Sequence, residues 1–203
     1  MSTKIKDRDK HLTIRDLIIT GVFAALLMIA NGLGGAAFAI NPALTFFYPI
    51  GGAVFGGPVF LLLLAKVHKR GALVITGVVF CILGLVTGMH WGMDFGALIA
   101  LVIADFIAVS GKYGDMKRNI LAYMIYCIGP AGTYFVFYID PQGWAKTMLK
   151  NGTTQDYIDT MSKAANASTL VIMVLGTFAV AALSGFIGSR LMKKHFEKSG
   201  VTA

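Results

Sequence analysis

Residues 17–65 read LIITGVFAALLMIANGLGGAAFAINPALTFFYPIGGAVFGGPVFLLLLA, 49 residues without one Asp, Glu, Lys or Arg. A bilayer is the solvent that accommodates so long an apolar run, because about 20 mostly apolar residues already cross ~30 Å of hydrocarbon as a helix. The run is more than twice that length. It carries a polar, glycine-rich break at Asn31-Gly32-Leu33-Gly34-Gly35 and then Asn41-Pro42, so it reads as two spans joined by a loop.

Working outward, further uncharged stretches occupy residues 71–93, 119–139 and 164–189, and a sixth apolar segment between Asp94 and Gly111 is interrupted only by Asp105. The spans expected are 15–37, 43–65, 71–89, 93–111, 119–139 and 168–191: an all-α membrane protein, a six-helix bundle in one integral membrane domain covering residues 1–203. The composition agrees, with 56% apolar residues, 14% charged and 24 glycines in 203 residues. Membrane helices tolerate glycine better than soluble ones do. A soluble protein with six such helices would have nothing polar to turn toward water.

The net charge of +8 is explained by placement. If both termini are cytoplasmic, the inner segments hold 15 of the 18 Lys and Arg residues, and the outer loops hold only Lys146, Lys150 and Lys163. That asymmetry sets orientation by the positive-inside rule. No groove-reading motif accompanies the basic residues, so a nucleic-acid partner is not expected. The two cysteines, Cys81 and Cys127, fall mid-span, where a small apolar side chain packs well, and no metal site is expected.

The chain lacks a G-x-x-x-x-G-K-[ST] loop to cradle nucleotide phosphates, and neither H-E-x-x-H nor G-x-S-x-G occurs. The expectation is therefore a non-enzyme without cofactors. Nor do the two halves show an obvious matched pair of broken helices of the kind that marks inverted-repeat carriers. Small residues instead recur at helix-packing spacing, at Gly21/Ala25, Gly52/Gly56, Gly84/Gly88, Gly92/Gly96 and Ser184/Gly188. In lipid such stripes mark either internal helix contacts or a docking face. The internal reading suits most of them, while Gly21 and Ala25 share the first helix with Ile18 and suit a partner helix.

Leu12-Thr-Ile-Arg-Asp-Leu at the start, Ala104-Asp105-Phe-Ile and Ser110-Gly-Lys-Tyr113 after the fourth span, and Leu191-Met-Lys-Lys-His-Phe-Glu-Lys at the end carry a resemblance over nearly the whole chain. The sequence resembles a substrate-binding S component of an energy-coupling factor (ECF) transporter, in the Trep_Strep-like group. The resemblance implies capture of a vitamin-like small molecule at the outer face. It also implies partnership with a transmembrane T component and two cytoplasmic ATPase subunits, which topple the loaded protein in the bilayer. The group's first helix carries an Ala-x-x-x-Ala motif for docking the T component. Gly21-x-x-x-Ala25 occupies that place, with glycine for the first alanine.

Under that resemblance the outward-facing polar and aromatic residues become the candidate substrate pocket: Asn31, Asn41, His90, Trp91, Asp94, Tyr134, Tyr138 and Trp144. His90, Trp91 and Asp94 combine a switchable base, a stacking face and a carboxylate, a set that suits a flat heterocycle of the hydroxymethylpyrimidine or pyridoxine class. The plain alternative makes Trp91 an interfacial anchor and Asp94 an N-cap of the fourth helix. Residues 140–167 are too long for a simple connection. Trp144, Met148, Tyr157, Ile158 and Met161 recur there at helical spacing, so one or two amphipathic helices either cover the pocket or rest on the bilayer. Asp105, roughly 9 Å from the inner end of its span, is expected to pair with a basic residue at the cytoplasmic rim or with the backbone of a neighbouring helix. An ion-coupled secondary carrier and a non-catalytic membrane scaffold are the two other classes.

Overall fold

The computed structural model describes residues 11–196, with side chains to Lys194. Lys4, Lys6, Arg8, Lys10 and Lys198, which weigh in the charge asymmetry, and the last two residues of the C-terminal motif lie outside the described residues. Among the described residues every regular element is helical.

The first helix, α1 (Ile14–Ala39), begins at a capping box in which the Thr13 hydroxyl accepts the Asp16 N–H and the Asp16 carboxylate accepts the Thr13 N–H at 2.8 Å. Lys69 Nζ lies 2.7 Å from the same carboxylate and also donates to the His11 carbonyl, tying the start of α1 to the loop at residues 67–71. The second apolar stretch does not form one helix. Asn41 caps a 3₁₀ segment at Pro42–Phe47, α2 (Tyr48–Gly52) follows, and α3 (Gly56–Lys66) resumes after a turn at residues 53–55. Pro42 and Pro49 sit in first turns, where the missing N–H costs nothing. The Tyr123 hydroxyl donates to the Ala53 carbonyl at 2.7 Å, satisfying an acceptor that the break frees.

The short helix α4 (Ala72–Thr87, 16 residues) is bounded by Gly71 at φ 95° and Gly88 at φ 76°, conformations that glycine adopts without steric cost. Asp105 lies buried on α5 (Trp91–Ser110). Its two carboxylate oxygens accept the Gly71 N–H at 3.2 and 3.0 Å, capping α4 from the neighbouring helix. Of the two roles expected of Asp105, backbone bonding is observed at Gly71, and the charge of Arg70 also acts on this carboxylate.

The fifth apolar stretch is α6 (Met116–Ile128), a 3₁₀ turn at Gly129–Ala131 containing Pro130, and α7 (Gly132–Ile139). The second and fifth stretches are thus both interrupted, which the sequence reading did not anticipate. Residues 140–167 form two short helices, α8 (Pro141–Lys150) and α9 (Gln155–Ala164), capped by Asp140 and Thr154. Asn166 caps the long α10 (Ala167–Leu191). Among the described residues five segments are long and apolar enough to cross a membrane, namely Ile14–Ala39, Pro42–Lys66, Trp91–Ser110, Met116–Ile139 and Ala167–Lys194; Ala72–Thr87 is apolar but shorter.

Helices α4, α5 and α6 pack in succession, α1 packs on α2, and α10 packs on α3 and α6. Three of the five small-residue stripes, Gly52/Gly56, Gly92/Gly96 and Ser184/Gly188, are internal contacts, whereas in Gly84/Gly88 only Gly84 is close-packed, against Asp94, and a Gly88 Cβ would meet nothing within 4 Å. A Cβ on Gly57 or Gly188 would overlap the backbone of the facing helix, and Ser184 bridges this seam by accepting the Gly57 N–H at 3.2 Å and donating to the Val54 carbonyl at 2.7 Å. One buried cluster, including Phe60, Leu64, Leu101, Tyr123 and Tyr126, fills the bundle. A second, including Phe46, Tyr134, Phe137, Trp144, Ile158, Met161 and Met173, lies under α8 and α9.

Candidate functional site

Two adjoining chambers open among α1, α2, α4, α5, α6, α7, α8 and α9, sharing Tyr48, Met89 and Met93 as their common wall. The smaller, about 140 Å³, is lined by Met28, Asn31, Phe80, Gly84, Asp94, Tyr126 and Pro130 among others. The larger, about 450 Å³, is lined by Thr45, His90, Thr133, Tyr134, Trp144 and Tyr157 among others.

His90 sits at the N-cap of α5. Its Nδ1 accepts the Gly92 N–H at 3.0 Å, so in the neutral ring the proton resides on Nε2. Burial holds the pKa of His90 below its ordinary value, which favours that neutral ring. His90 is 3% exposed, and its Nε2 is buried without a hydrogen-bond partner. The ring lies 5.9 Å from that of Trp144 in the roof.

Asp94 is one turn further along α5, also 3% exposed, with Oδ2 buried and unpartnered. It is not the cap, since His90 holds that role. Gly84 of α4 makes room for it: a Cβ there would overlap the carboxylate. A carboxylate in the first turn gains about 0.3–1 kcal/mol from the helix dipole at exposed sites. An isolated buried ion forfeits several kcal/mol of hydration, so the helix alone does not account for Asp94. Among the described residues no Lys or Arg lines either chamber.

The roof is pinned at its edges. The Trp144 Nε1–H donates to the Thr133 hydroxyl at 2.9 Å, the Tyr157 hydroxyl donates to the Ala39 carbonyl at 3.3 Å, and the Asn151 amide donates to the Gly88 carbonyl at 2.9 Å. Trp144, Ile158 and Met161 face inward from α8 and α9, whereas Lys146, Lys150, Asp156 and Asp159 are exposed.

Five of the eight expected pocket residues therefore line the chambers: Asn31, His90, Asp94, Tyr134 and Trp144. Three do not. Asn41 is exposed and caps its 3₁₀ segment by accepting the Ala43 N–H. Trp91 is 46% exposed on the outside of α5, as an interfacial anchor would be. The Tyr138 hydroxyl donates to the Asn166 carbonyl. Tyr48, Tyr126 and Thr133 escaped the sequence reading, although an aromatic residue beside a Pro or Gly break was a usable signal for Tyr48; Tyr157 was expected only as part of a covering helix and lines the larger chamber. On α1, Ala25 is exposed and nothing lies within 4 Å of where a Gly21 Cβ would stand, so this fifth stripe has no partner among the described residues. Among the described residues no group of three or more His, Cys, Asp or Glu side chains is placed to hold a metal ion.

A family model described as a hypothetical bacterial integral membrane protein (Trep_Strep) matches residues 14–198. No curated protein and no solved structure matches the chain. With that match running from the start of α1 past the end of α10, and with five helical segments able to cross a bilayer, the chain belongs to the Trep_Strep family of bacterial integral membrane proteins and is a multi-pass membrane protein.

Proposed function

We propose that the chain is the substrate-binding S component of an ECF-type importer. It is a single membrane domain of six spans, α4 included, with both termini cytoplasmic and the chambers near the outer face. The carrying observation is the roofed pair of chambers in which His90 Nε2 and Asp94 Oδ2, both buried, lack protein partners. Buried polar groups are nearly always satisfied, so two orphans in adjoining chambers suit a ligand that completes them. The ligand is a vitamin or small heterocyclic precursor of the hydroxymethylpyrimidine or pyridoxine class. The aromatic and methionine lining suits a flat ring, and α8 with α9 serves as the lid. The chain performs no catalysis; a T component docks on the open Gly21/Ala25 face and two cytoplasmic ATPases supply the energy.

The test is thermal stabilisation of the detergent-purified protein against vitamins and precursors. A ligand specific to the folded form adds about 2.7 kcal/mol at ~100 times its Kd, so one true substrate raises the melting temperature saturably. A flat panel together with no association with any T component would overturn the reading.

An ion-coupled carrier is the second reading, favoured by the interruptions in both the second and fifth apolar stretches. Paired broken helices often surround a carrier's binding site. Ion-driven uptake by the chain reconstituted alone supports this reading, and uptake only with T component, ATPases and ATP supports the first.

A further inference from the structure

We infer that the cavity selects its ligand by charge: it accepts a neutral or cationic nitrogen heterocycle that offers an N–H or ammonium donor to Asp94 and an acceptor to His90, and it rejects carboxylate- and phosphate-bearing molecules. This rests on the reading of the two chambers as the substrate site.

The two orphans are of opposite kind. An ionised carboxylate only accepts hydrogen bonds, and a His whose Nδ1 is already engaged by the Gly92 N–H offers only the Nε2–H. His90 caps α5 in an extended conformation and lines the larger chamber, while Asp94, four residues on in the first turn, lines the smaller one. A ligand that meets both therefore spans the wall of Tyr48, Met89 and Met93 that the chambers share. The smaller chamber, about 140 Å³, receives the donor end, and the larger chamber receives the rest of the molecule under the roof.

Charge complementarity supplies the selectivity. Among the described residues Asp94 is the one acidic residue lining either chamber, and no Lys or Arg accompanies it. The elements packed around it contribute Met28 and Asn31 from α1, Tyr48 from α2, Phe80 and Gly84 from α4 and Tyr126 from α6, none of them cationic. An anionic ligand brought here faces a like charge in a medium that screens poorly. A ligand ammonium or protonated ring nitrogen meets both the carboxylate and the faces of Tyr48, Phe80 and Tyr126, which attract cations.

The experiment uses two matched sets of probes on the purified full-length chain: an aminopyrimidine and a pyridine, each carrying a hydroxymethyl, an aminomethyl or a carboxylate group. Affinities are read by thermal shift and calorimetry. The expected order in the wild type places the aminomethyl and hydroxymethyl members at least tenfold tighter than the carboxylate. Asp94→Asn should weaken the aminomethyl member at least tenfold, narrow its gap to the carboxylate, and leave the melting temperature of the ligand-free protein equal or higher. A carboxylate member that binds as tightly as its hydroxymethyl counterpart overturns the charge selection while leaving a binding subunit in place. An Asp94→Asn protein with an unchanged affinity order and a lower ligand-free melting temperature makes Asp94 structural and also overturns it. Failure of all six probes to shift the wild type counts against the substrate-site reading, and the inference falls with it.

Discussion

Replacing Asp105 should loosen the fold without touching ligand affinity. Its carboxylate holds the Gly71 N–H with oxygens at 3.0 and 3.2 Å, at the free end of a helix only 16 residues long. A hydrogen bond to a charged group contributes about 1.5–3 kcal/mol net. Asp105→Leu removes both acceptor oxygens and leaves the N–H in apolar surroundings, while also deleting a buried charge that is costly to desolvate. The expected net loss is about 2 kcal/mol, which at roughly 2–4 °C per kcal/mol for a chain of this length lowers the melting temperature by about 4–8 °C. Asp105→Asn keeps one acceptor and loses about half as much. Asp105 lies eleven residues beyond Asp94 on α5, roughly 16 Å along the axis, so affinity for a substrate found by thermal shift should stay within twofold. The assay is paired melting and calorimetry on wild type and both variants in one detergent. A Leu variant that melts at or above the wild type would show that desolvation outweighs the cap. A tenfold affinity loss at unchanged melting temperature would move Asp105 into the site and refute the reasoning.

His90 should separate capping from binding: His90→Ala loses the cap and costs about 1 kcal/mol, whereas His90→Asn keeps a side-chain acceptor for the Gly92 N–H but withdraws the Nε2–H from the larger chamber, so its affinity falls with little change in melting. Because burial depresses the pKa of His90, below about pH 6.5 the unfolded chain binds a proton that the folded chain refuses. Wild-type stability should therefore decline as pH falls through that range, with a smaller decline in His90→Asn on pH-dependent melting curves. Trp91→Ala, on the outside of α5, should leave ligand affinity unchanged, while Trp144→Ala, in the roof, should weaken it at least tenfold by calorimetry. Tyr123→Phe deletes the 2.7 Å bond to the Ala53 carbonyl and leaves that acceptor buried, for a loss of about 1–2 kcal/mol and a melting temperature lower by several degrees.

Helix positions were legible because a span announces itself by length and lack of charge: the expected 15–37, 93–111 and 168–191 fall on α1, α5 and α10. The breaks at residues 53–55 and at Gly129–Ala131 were not legible, although Pro49, Gly51, Gly52 and Pro130 mark them. Such residues interrupt a span only where neighbouring groups satisfy the freed backbone, as Tyr123 does for Ala53. At the site, polar residues at span ends stood out, and His90, Asp94, Tyr134 and Trp144 were found that way. Met28, Tyr48, Phe80 and Tyr126 were hidden because an apolar residue facing lipid and one facing a cavity look alike in sequence. His90 as the cap of α5 was missed because histidine is not among the residues that signal a helix start.

The short reach of α4 has a consequence for the surrounding lipid. At 1.5 Å per residue its 16 residues extend about 24 Å, less than the ~30 Å of a typical hydrocarbon core, while α1 with 26 residues extends about 39 Å. Both expose apolar side chains, Val78, Ile82 and Val86 on α4 and Ile18, Val22 and Ile29 on α1. In the six-span arrangement proposed above, the protein presents an uneven hydrophobic collar, and acyl chains beside α4 must compress or the whole molecule must lean. Mismatch costs fractions of a kcal/mol per ångström, so bilayer thickness becomes a mechanical input: longer acyl chains strain the α4 side, and shorter ones relieve it.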